Sequence, residues 1–346
     1  MKKILVSAAV FSLIIGAGAV SAQALSDVET LGKPIYESTE LSLERTQSCA
    51  TCHNSVTGFA DLDNSVVSLG DDGVSTGGRN APTSAYCGFS PVLHVNKMGE
   101  YVGGMFWDGR ATGLTLGDPL AEQAQGPPLN PVEMHMTDVQ MIIDRMAADP
   151  AIAPLFLQVY GTDAFADADA AYDNLARAIA AYERSAEVTR FTSRFDTGTL
   201  NAQELRGRKL FSQNCTTCHA MGQHGSGHPL FTNYKYVNAG VPKNQALEDD
   251  PDCAYVYPDL GLGGFLGDSA QDGKFKVPTL RNIALTFPYS HNGYFATLKE
   301  MVSFMNDRSA YIPEVGANLS AEVGSLGLTE AQVDDIVAFL NTLTDM

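Results

Sequence analysis

The chain has 346 residues, with 22 Lys and Arg against 40 Asp and Glu, a formal charge of −18 and 45% hydrophobic residues. So acidic a balance argues against nucleic acid and anionic lipid as partners and suits a basic or neutral protein instead. The length is enough for two domains of ordinary size.

In chain order, Lys2 and Lys3 precede an apolar run from Ile4 to Val20 and the small-residue end VSAQA, the layout of a secretory signal peptide over residues 1–22. Cleavage is expected after Ala22 or Ala24, with an uncleaved N-terminal anchor as the alternative. Removing residues 1–22 takes two lysines and no acids, leaving −20. No later stretch approaches the roughly 20 apolar residues of a bilayer span, so the mature protein is expected to be soluble in the periplasm, with no membrane insertion.

The next segment, ELSLERTQS, is expected to be helical and to run into CATCH, residues 49–53. TDVQMIIDRMAAD has Thr137 and Gln140 at capping-box spacing, with Val139, Ile142, Ile143 and Met146 on one face. AYDNLARAIAAYERS places Tyr172, Leu175, Ile179 and Tyr182 at helical spacing. Asn201 with Glu204 opens a helix through AQELRGRKLF into CTTCH, residues 215–219. Residues 222–293 are rich in Gly and Pro without periodicity, a long ordered loop expected to have a task. GLGGFLG within it lacks a preceding strand and a following Lys-Ser/Thr, and is turn glycine rather than a phosphate loop. Thr297 with Glu300 opens TLKEMVSFM, and Thr329 with Gln332 opens the last helix. The expected fold is mainly α, with two cytochrome c-like domains, long irregular loops and little β. The domains are residues 23–198 and 199–346, each carrying one CxxCH motif.

CxxC alone would suit zinc or a redox dithiol. His directly after the second Cys, in an exported chain, indicates c-type haem attachment: Cys49 and Cys52 with His53, and Cys215 and Cys218 with His219. The cysteines form thioethers to the porphyrin and the histidine lies under the iron. Two cysteines are left over. Cys87 and Cys253 are candidates for one disulfide, or else two unrelated free thiols.

Function then turns on the opposite face of each iron, since a second strong ligand makes an electron-transfer haem and an open face a reactive one. No histidine lies between Asn54 and Leu93. His94, in an apolar context, suits a packed or hydrogen-bonded role. For the second motif the candidates are His224, His228, His291, Met301 and Met305. The two methionines lie one helical turn apart, a spacing equally typical of core filler.

The blocks QSCATCH, GGRNAPT, FWDGRA, EQAQGPPLNPVEM, AIAAYERS, CTTCH, FKVPTLRNIALTFPYSHNG and TLKEMVSFM occur in this order. In them the whole mature chain resembles the bacterial diheme cytochrome c peroxidase family, which includes the methylamine-utilisation enzyme MauG. The resemblance implies an N-terminal haem that reacts with peroxide and a C-terminal haem that collects electrons. Fourteen residues after His291 stands Met305, where the family has the methionine ligand of the electron-transfer haem and MauG a tyrosine. Other members close the first haem with a loop histidine; residues 54–79 contain none, which implies an open haem as in the MauG-like branch. The resemblance further makes Glu133 the base for O–O cleavage, Gln123 its partner in the pocket, and Trp107 an electron relay between the haems. Without it, Glu133 reads as a helix-start acid and Trp107 as a packing anchor. Asp108 and Arg110 read as propionate or helix-end partners, and His291 as a structural hydrogen-bonding residue. The resemblance also implies a calcium ion on oxygens of Asn80, Thr286 and Pro288, and a homodimer by analogy.

Two departures from the family pattern alter the pocket rim: ATGLTLGDPLAEQA and residues 85–105 both look longer than in electron-transfer peroxidases. Three readings follow. The leading one is a peroxidase that reduces H2O2 with electrons from a small periplasmic cytochrome c or cupredoxin. The second is a MauG-like enzyme that oxidises residues of a partner protein, favoured by the open first haem and opposed by Met305. The third is a diheme electron carrier, which fold alone leaves open and the missing histidine after CATCH disfavours.

Overall fold

A computed structural model describes residues 24–346. The expected signal peptide lies outside the described residues. Among those described, no helix is long and apolar enough to cross a membrane. The structure is mainly helical, and among the described residues the strands are two antiparallel two-residue pairs, His94–Val95 with Tyr101–Val102 and Tyr236–Val237 with Phe275–Lys276.

Each half is built on one crossing of two helices, and the two crossings repeat each other. In the first half Asp27–Glu37 crosses Ala168–Arg184; in the second Ala202–Asn214 crosses Glu330–Leu340. Both crossings are closed by a glycine. A Cβ on Gly32 would run into the carbonyl oxygen of Ala178 and come within 2.9 Å of Tyr182 Cβ. On Gly207 it would meet the carbonyl of Asp335 and lie 2.9 Å from Phe339 Cβ. One turn after each glycine an aromatic ring meets the same partner. Tyr36 and Tyr182 have ring centroids 5.3 Å apart, Phe211 and Phe339 5.2 Å. Backbone atoms cannot swing aside as a side chain can. Gly207→Ala is therefore expected to cost about 1–3 kcal/mol of stability through overpacking, read as a lowered thermal midpoint; an unchanged midpoint would contradict this close approach.

The capping boxes expected at Asn201/Glu204, Thr297/Glu300 and Thr329/Gln332 all form. Two expectations are corrected. The helix of residues 139–148 is capped by Asp138, not Thr137: Asp138 accepts from Met141 N at 2.9 Å, while the Thr137 hydroxyl donates to Asp138. ELSLERTQS forms only a 3-10 turn at Thr39–Leu41. The Arg145 guanidinium takes the carbonyls of Glu40, Ser42 and Leu43. The Ser42 hydroxyl takes the N–H groups of Thr46 and Gln47, so the backbone groups a helix would pair are already engaged. GLGGFLG holds a short helix, Leu262–Leu266, between Gly261 and Gly267, both at positive φ.

One apolar core lies in the first half, around Leu31, Ile143, Phe156 and Ile179. The other lies in the second, around Phe211, Phe231, Phe304 and Phe339. The halves interlock through charge. Arg281 is fully buried and donates to both oxygens of Asp196 at 2.6 and 3.0 Å. Asp345, near the C-terminus, accepts from Tyr86 and from the Thr192 N–H.

Candidate active site and electron-transfer site

Both motif histidines are tethered in the same way. His53 Nδ1 faces the Phe59 carbonyl at 3.2 Å, and His219 Nδ1 faces the Phe231 carbonyl at 2.9 Å. A carbonyl is an acceptor only, so Nδ1 carries the proton and Nε2 keeps its lone pair for a metal. Burial pushes both imidazoles below their ordinary pKa, which keeps them neutral. All six cysteines are free. This meets what covalent haem attachment asks of each motif: two unpaired thiols and a neutral, oriented imidazole.

Of the two alternatives left open for Cys87 and Cys253, the structure has the pair of separate thiols. Cys87 donates to the Thr83 carbonyl at 3.0 Å and Cys253 to the Gly77 carbonyl at 3.3 Å. Burial pushes the Cys87 thiol up to about 12, so it is an inert thiol.

A cavity opens beside the second motif. Cys215, Cys218 and His219 line it on one side, with Met301, Met305 and Leu298 from the Leu298–Asn306 helix. His224 and His228 are engaged elsewhere. His224 Nε2 meets the Thr232 carbonyl at 3.0 Å, and His228 stacks on Phe191 with Nδ1 3.5 Å from Asp196. Trp107 lines the same cavity and donates from Nε1 to the Asn80 carbonyl at 2.9 Å. Asn80, Thr286 and Pro288 are also on its wall. The Asn80 amide N–H groups go to the carbonyls of Ser65 and Val66.

The surroundings of the first motif differ. Burial pushes the thiols of both Cys49 and Cys52 up, and nearby carboxylates add to this, Glu183 at Cys49 and Asp61 at Cys52 before Glu133 at both. The turn holding Glu133 is tied to the loop after the motif by Asp71 N donating to the Glu133 carbonyl at 2.8 Å. Burial pushes the Glu133 carboxyl above its usual range; Arg110, and Asn130 donating to Oε1 at 2.6 Å, hold part of that back. Gln123 sits half-buried on the Pro119–Ala124 helix. His94 is exposed on a strand, with Nδ1 at 2.9 Å from the Val92 carbonyl.

Asp108 and Arg110 are not at a helix end. Asp108 accepts from the Arg110 guanidinium at 2.9 Å and from Arg79 at 2.6 Å. His291 does not make the expected side-chain hydrogen bond: its ring stacks on Phe275 with centroids 3.6 Å apart, and Nε2 has no partner, 3.9 Å from Glu314. Sequence reasoning missed Arg79, Asp259, Lys276 and Glu183. Arg79 lies within GGRNAPT, yet its partner Asp259 is 180 residues away, a distance no local pattern signals. Lys276 lines the cavity wall, and burial pushes its ammonium down.

Glu183 is 3% exposed, and one of its oxygens has no partner. Burial pushes its carboxyl up to about 8. The folded protein keeps this proton where the unfolded chain has released it, so stability falls as pH rises from the ordinary carboxyl range towards 8. Glu183→Gln is expected to be the more stable form at the alkaline end of that window, by on the order of a few kcal/mol, and to match wild type at the acid end. Thermal midpoints at the two ends check this; a constant difference would contradict it.

Fold and motifs together define a two-domain c-type cytochrome with a haem station in each half. A family model described as di-haem cytochrome c peroxidase matches residues 26–204, and one described as cytochrome c matches 205–344. The chain belongs to the di-haem cytochrome c peroxidase and MauG family, oxidoreductases with two covalently bound c-type haems.

Among its relatives, the methylamine utilization protein MauG of Paracoccus denitrificans is 38% identical, over 91% of this chain and 88% of that protein. Cytochrome c551 peroxidase of Pseudomonas aeruginosa is 33% identical, over 91% of this chain and 78% of its own. The crystal structure of the diheme peroxidase BthA from Burkholderia thailandensis superposes with a TM-score of 0.81 at 27% identity, covering 94% of this chain and 87% of that one.

Proposed function

We propose that the protein is a periplasmic diheme peroxidase that reduces H2O2 to water at the haem held by Cys49, Cys52 and His53. Electrons enter at the haem held by Cys215, Cys218, His219 and Met305. What supports this reading is that each motif offers two thiols and a neutral histidine tethered through Nδ1, that Met301 and Met305 line the cavity of the second motif, and that Glu133 is a carboxyl whose proton affinity is raised by burial. A haem held by Cys49, Cys52 and His53 would supply the redox chemistry for splitting peroxide. The chain's own residues do the rest.

Glu133 accepts the proton of H2O2 at its carboxylate and returns it to the departing oxygen, which requires the ionised form before peroxide arrives. Its raised proton affinity makes it the stronger base for that first transfer. Gln123 orients the bound oxygen through its side-chain amide. Met305, on the wall of the second cavity, would hold the electron-entry haem together with His219, and its thioether would raise that haem's potential. Trp107, on the wall of the second cavity and hydrogen-bonded to Asn80, relays electrons towards the first motif. Asn80, Thr286 and Pro288 offer oxygens for a calcium ion that would brace this junction.

Steady-state oxidation of a reduced small c-type cytochrome by H2O2 tests the reading. Catalytic donor oxidation is expected, and its absence with fully loaded protein would contradict it. A second reading, oxidation of residues in a partner protein, is favoured by the 38% identity to the Paracoccus MauG. It predicts peroxide consumption coupled to modification of that partner, without cytochrome oxidation.

A further inference from the structure

The two halves repeat each other around their motif histidines and differ at two matched positions. Thr83 donates its hydroxyl to the Gly58 carbonyl at 2.7 Å, and Thr279 donates to the Leu230 carbonyl at 2.7 Å. The residue after each of these carbonyls, Phe59 or Phe231, supplies the oxygen that tethers the motif histidine. Matched in this way, Ser84 stands where the second half has Leu280. Tyr36, one turn after Gly32, stands where the second half has Phe211, one turn after Gly207. Tyr36 and Ser84 are both buried, and Phe211 and Leu280 are buried in the second apolar core. The first half therefore carries two buried hydroxyls at places the second fills with hydrocarbon.

Those hydroxyls close a ring of hydrogen bonds on His53. The Tyr36 hydroxyl oxygen lies 2.9 Å from the His53 carbonyl and 2.9 Å from Ser84 Oγ. A carbonyl only accepts, so the Tyr36 proton goes to His53 and the Ser84 hydroxyl donates to the Tyr36 oxygen. The Ser84 backbone N–H donates to the Phe59 carbonyl at 2.9 Å, the same oxygen that takes His53 Nδ1. Ser84 thus holds His53 at both ends, its ring through Phe59 and its backbone through Tyr36. The Tyr36 ring is fixed in turn, edge-on to Tyr182 at the crossing that Gly32 closes. Buried hydroxyls cost free energy unless they are bonded, and the apolar pair of the second half shows that packing alone does not require them.

We infer that Tyr36 and Ser84 are positioning residues for the peroxide reaction: their hydroxyls lock the His53 carbonyl, and with it the imidazole beneath the first haem. A haem gripped from both faces, as by His219 and a methionine, is oriented by two ligands. One with a single protein ligand depends on how firmly that ligand is held by its surroundings. The inference rests on the reading of the first haem as open on its other face and reactive with peroxide.

The test uses the full-length, haem-loaded protein and reads the iron–histidine stretching band of the reduced form by resonance Raman spectroscopy. A five-coordinate haem gives that band and a haem also ligated by methionine does not, so it reports on His53. In wild type a single narrow band is expected. Tyr36→Phe keeps the ring and copies the second half; it is expected to broaden or split the band and to slow the peroxide reaction about tenfold. The optical spectrum of the second haem should stay as it was. Ser84→Ala is expected to act in the same direction but less, since Tyr36 can still donate to His53. Ser84→Thr, which keeps the hydroxyl, is expected to retain the narrow band. On top of Tyr36→Phe, Ser84→Ala is expected to add nothing, because its hydroxyl acts through Tyr36. A band and rate unchanged in Tyr36→Phe, in a protein whose wild type reacts with peroxide, would overturn the inference alone, even if the thermal midpoint fell. If Tyr36→Phe loses haem, Ser84→Ala against Ser84→Thr decides in the same way. No such band in wild type, together with no reaction with peroxide, would show that the first haem is closed, and the proposed function would fall with the inference.

Discussion

Replacing Glu133 by Gln is expected to lower the rate of the peroxide reaction by about 10²–10⁴-fold, the range for loss of a positioned acid–base group. The substitution is nearly isosteric and keeps an oxygen to accept from Asn130, so both haems should remain attached and the second should keep its spectrum. The residue's environment gives the effect a pH signature. Burial pushes the carboxyl up, and Arg110 and Asn130 only partly offset this. Wild-type rates should therefore climb with pH through a midpoint above the ordinary carboxyl range, while the Gln variant stays flat. Rapid mixing with H2O2 across a pH series measures both. Full-rate turnover in Glu133→Gln would remove this residue from the mechanism.

Met305→Ala is expected to have the next largest effect, confined to the other haem. With His219 tethered to the Phe231 carbonyl and both cysteines in place, haem two should stay bound but lose its second ligand. It should change from low to high spin and drop in potential by on the order of a few tenths of a volt. Met301 lines the same cavity from one turn earlier, so Met301→Leu is the control and should leave spin state and potential unchanged. A redox titration followed by optical spectroscopy separates them. If Met301→Leu produced the change instead, the ligand assignment would pass to Met301.

The repeated architecture was legible because it is written locally. Three capping boxes, the two CxxCH motifs and the helix before CTTCH depend on residues within a turn or two of one another. A further signal was present in the pairs Gly32 with Tyr36 and Gly207 with Phe211, each an aromatic one turn after a glycine at a close helix crossing. Where local reading failed, a distant group had intervened. ELSLERTQS has helical spacing, yet Arg145, about a hundred residues later, takes its carbonyls. Thr137 has its capping partner at the right interval, but the adjacent Asp138 accepts the helix N–H instead.

The candidate site divides in the same way. Its metal-facing residues are recognisable in their motifs, because haem attachment dictates their spacing. The charged groups around them are not. Arg79 owes its place to Asp108 and Asp259, 29 and 180 residues on, and Glu183 is notable only for burial that the fold creates. For Cys87 and Cys253 an even count of spare cysteines left a bond and two free thiols equally open, and only the fold decides, since each thiol hydrogen-bonds a different carbonyl.

The central claim is that one motif serves two different jobs, set by what stands opposite each histidine. Electron paramagnetic resonance of the oxidised protein, before and after one equivalent of H2O2, tests it most directly. The predicted result is one high-spin signal from the haem at His53 and one low-spin signal from the haem at His219 and Met305, with both changing on addition of peroxide. Two low-spin signals indifferent to peroxide would contradict it.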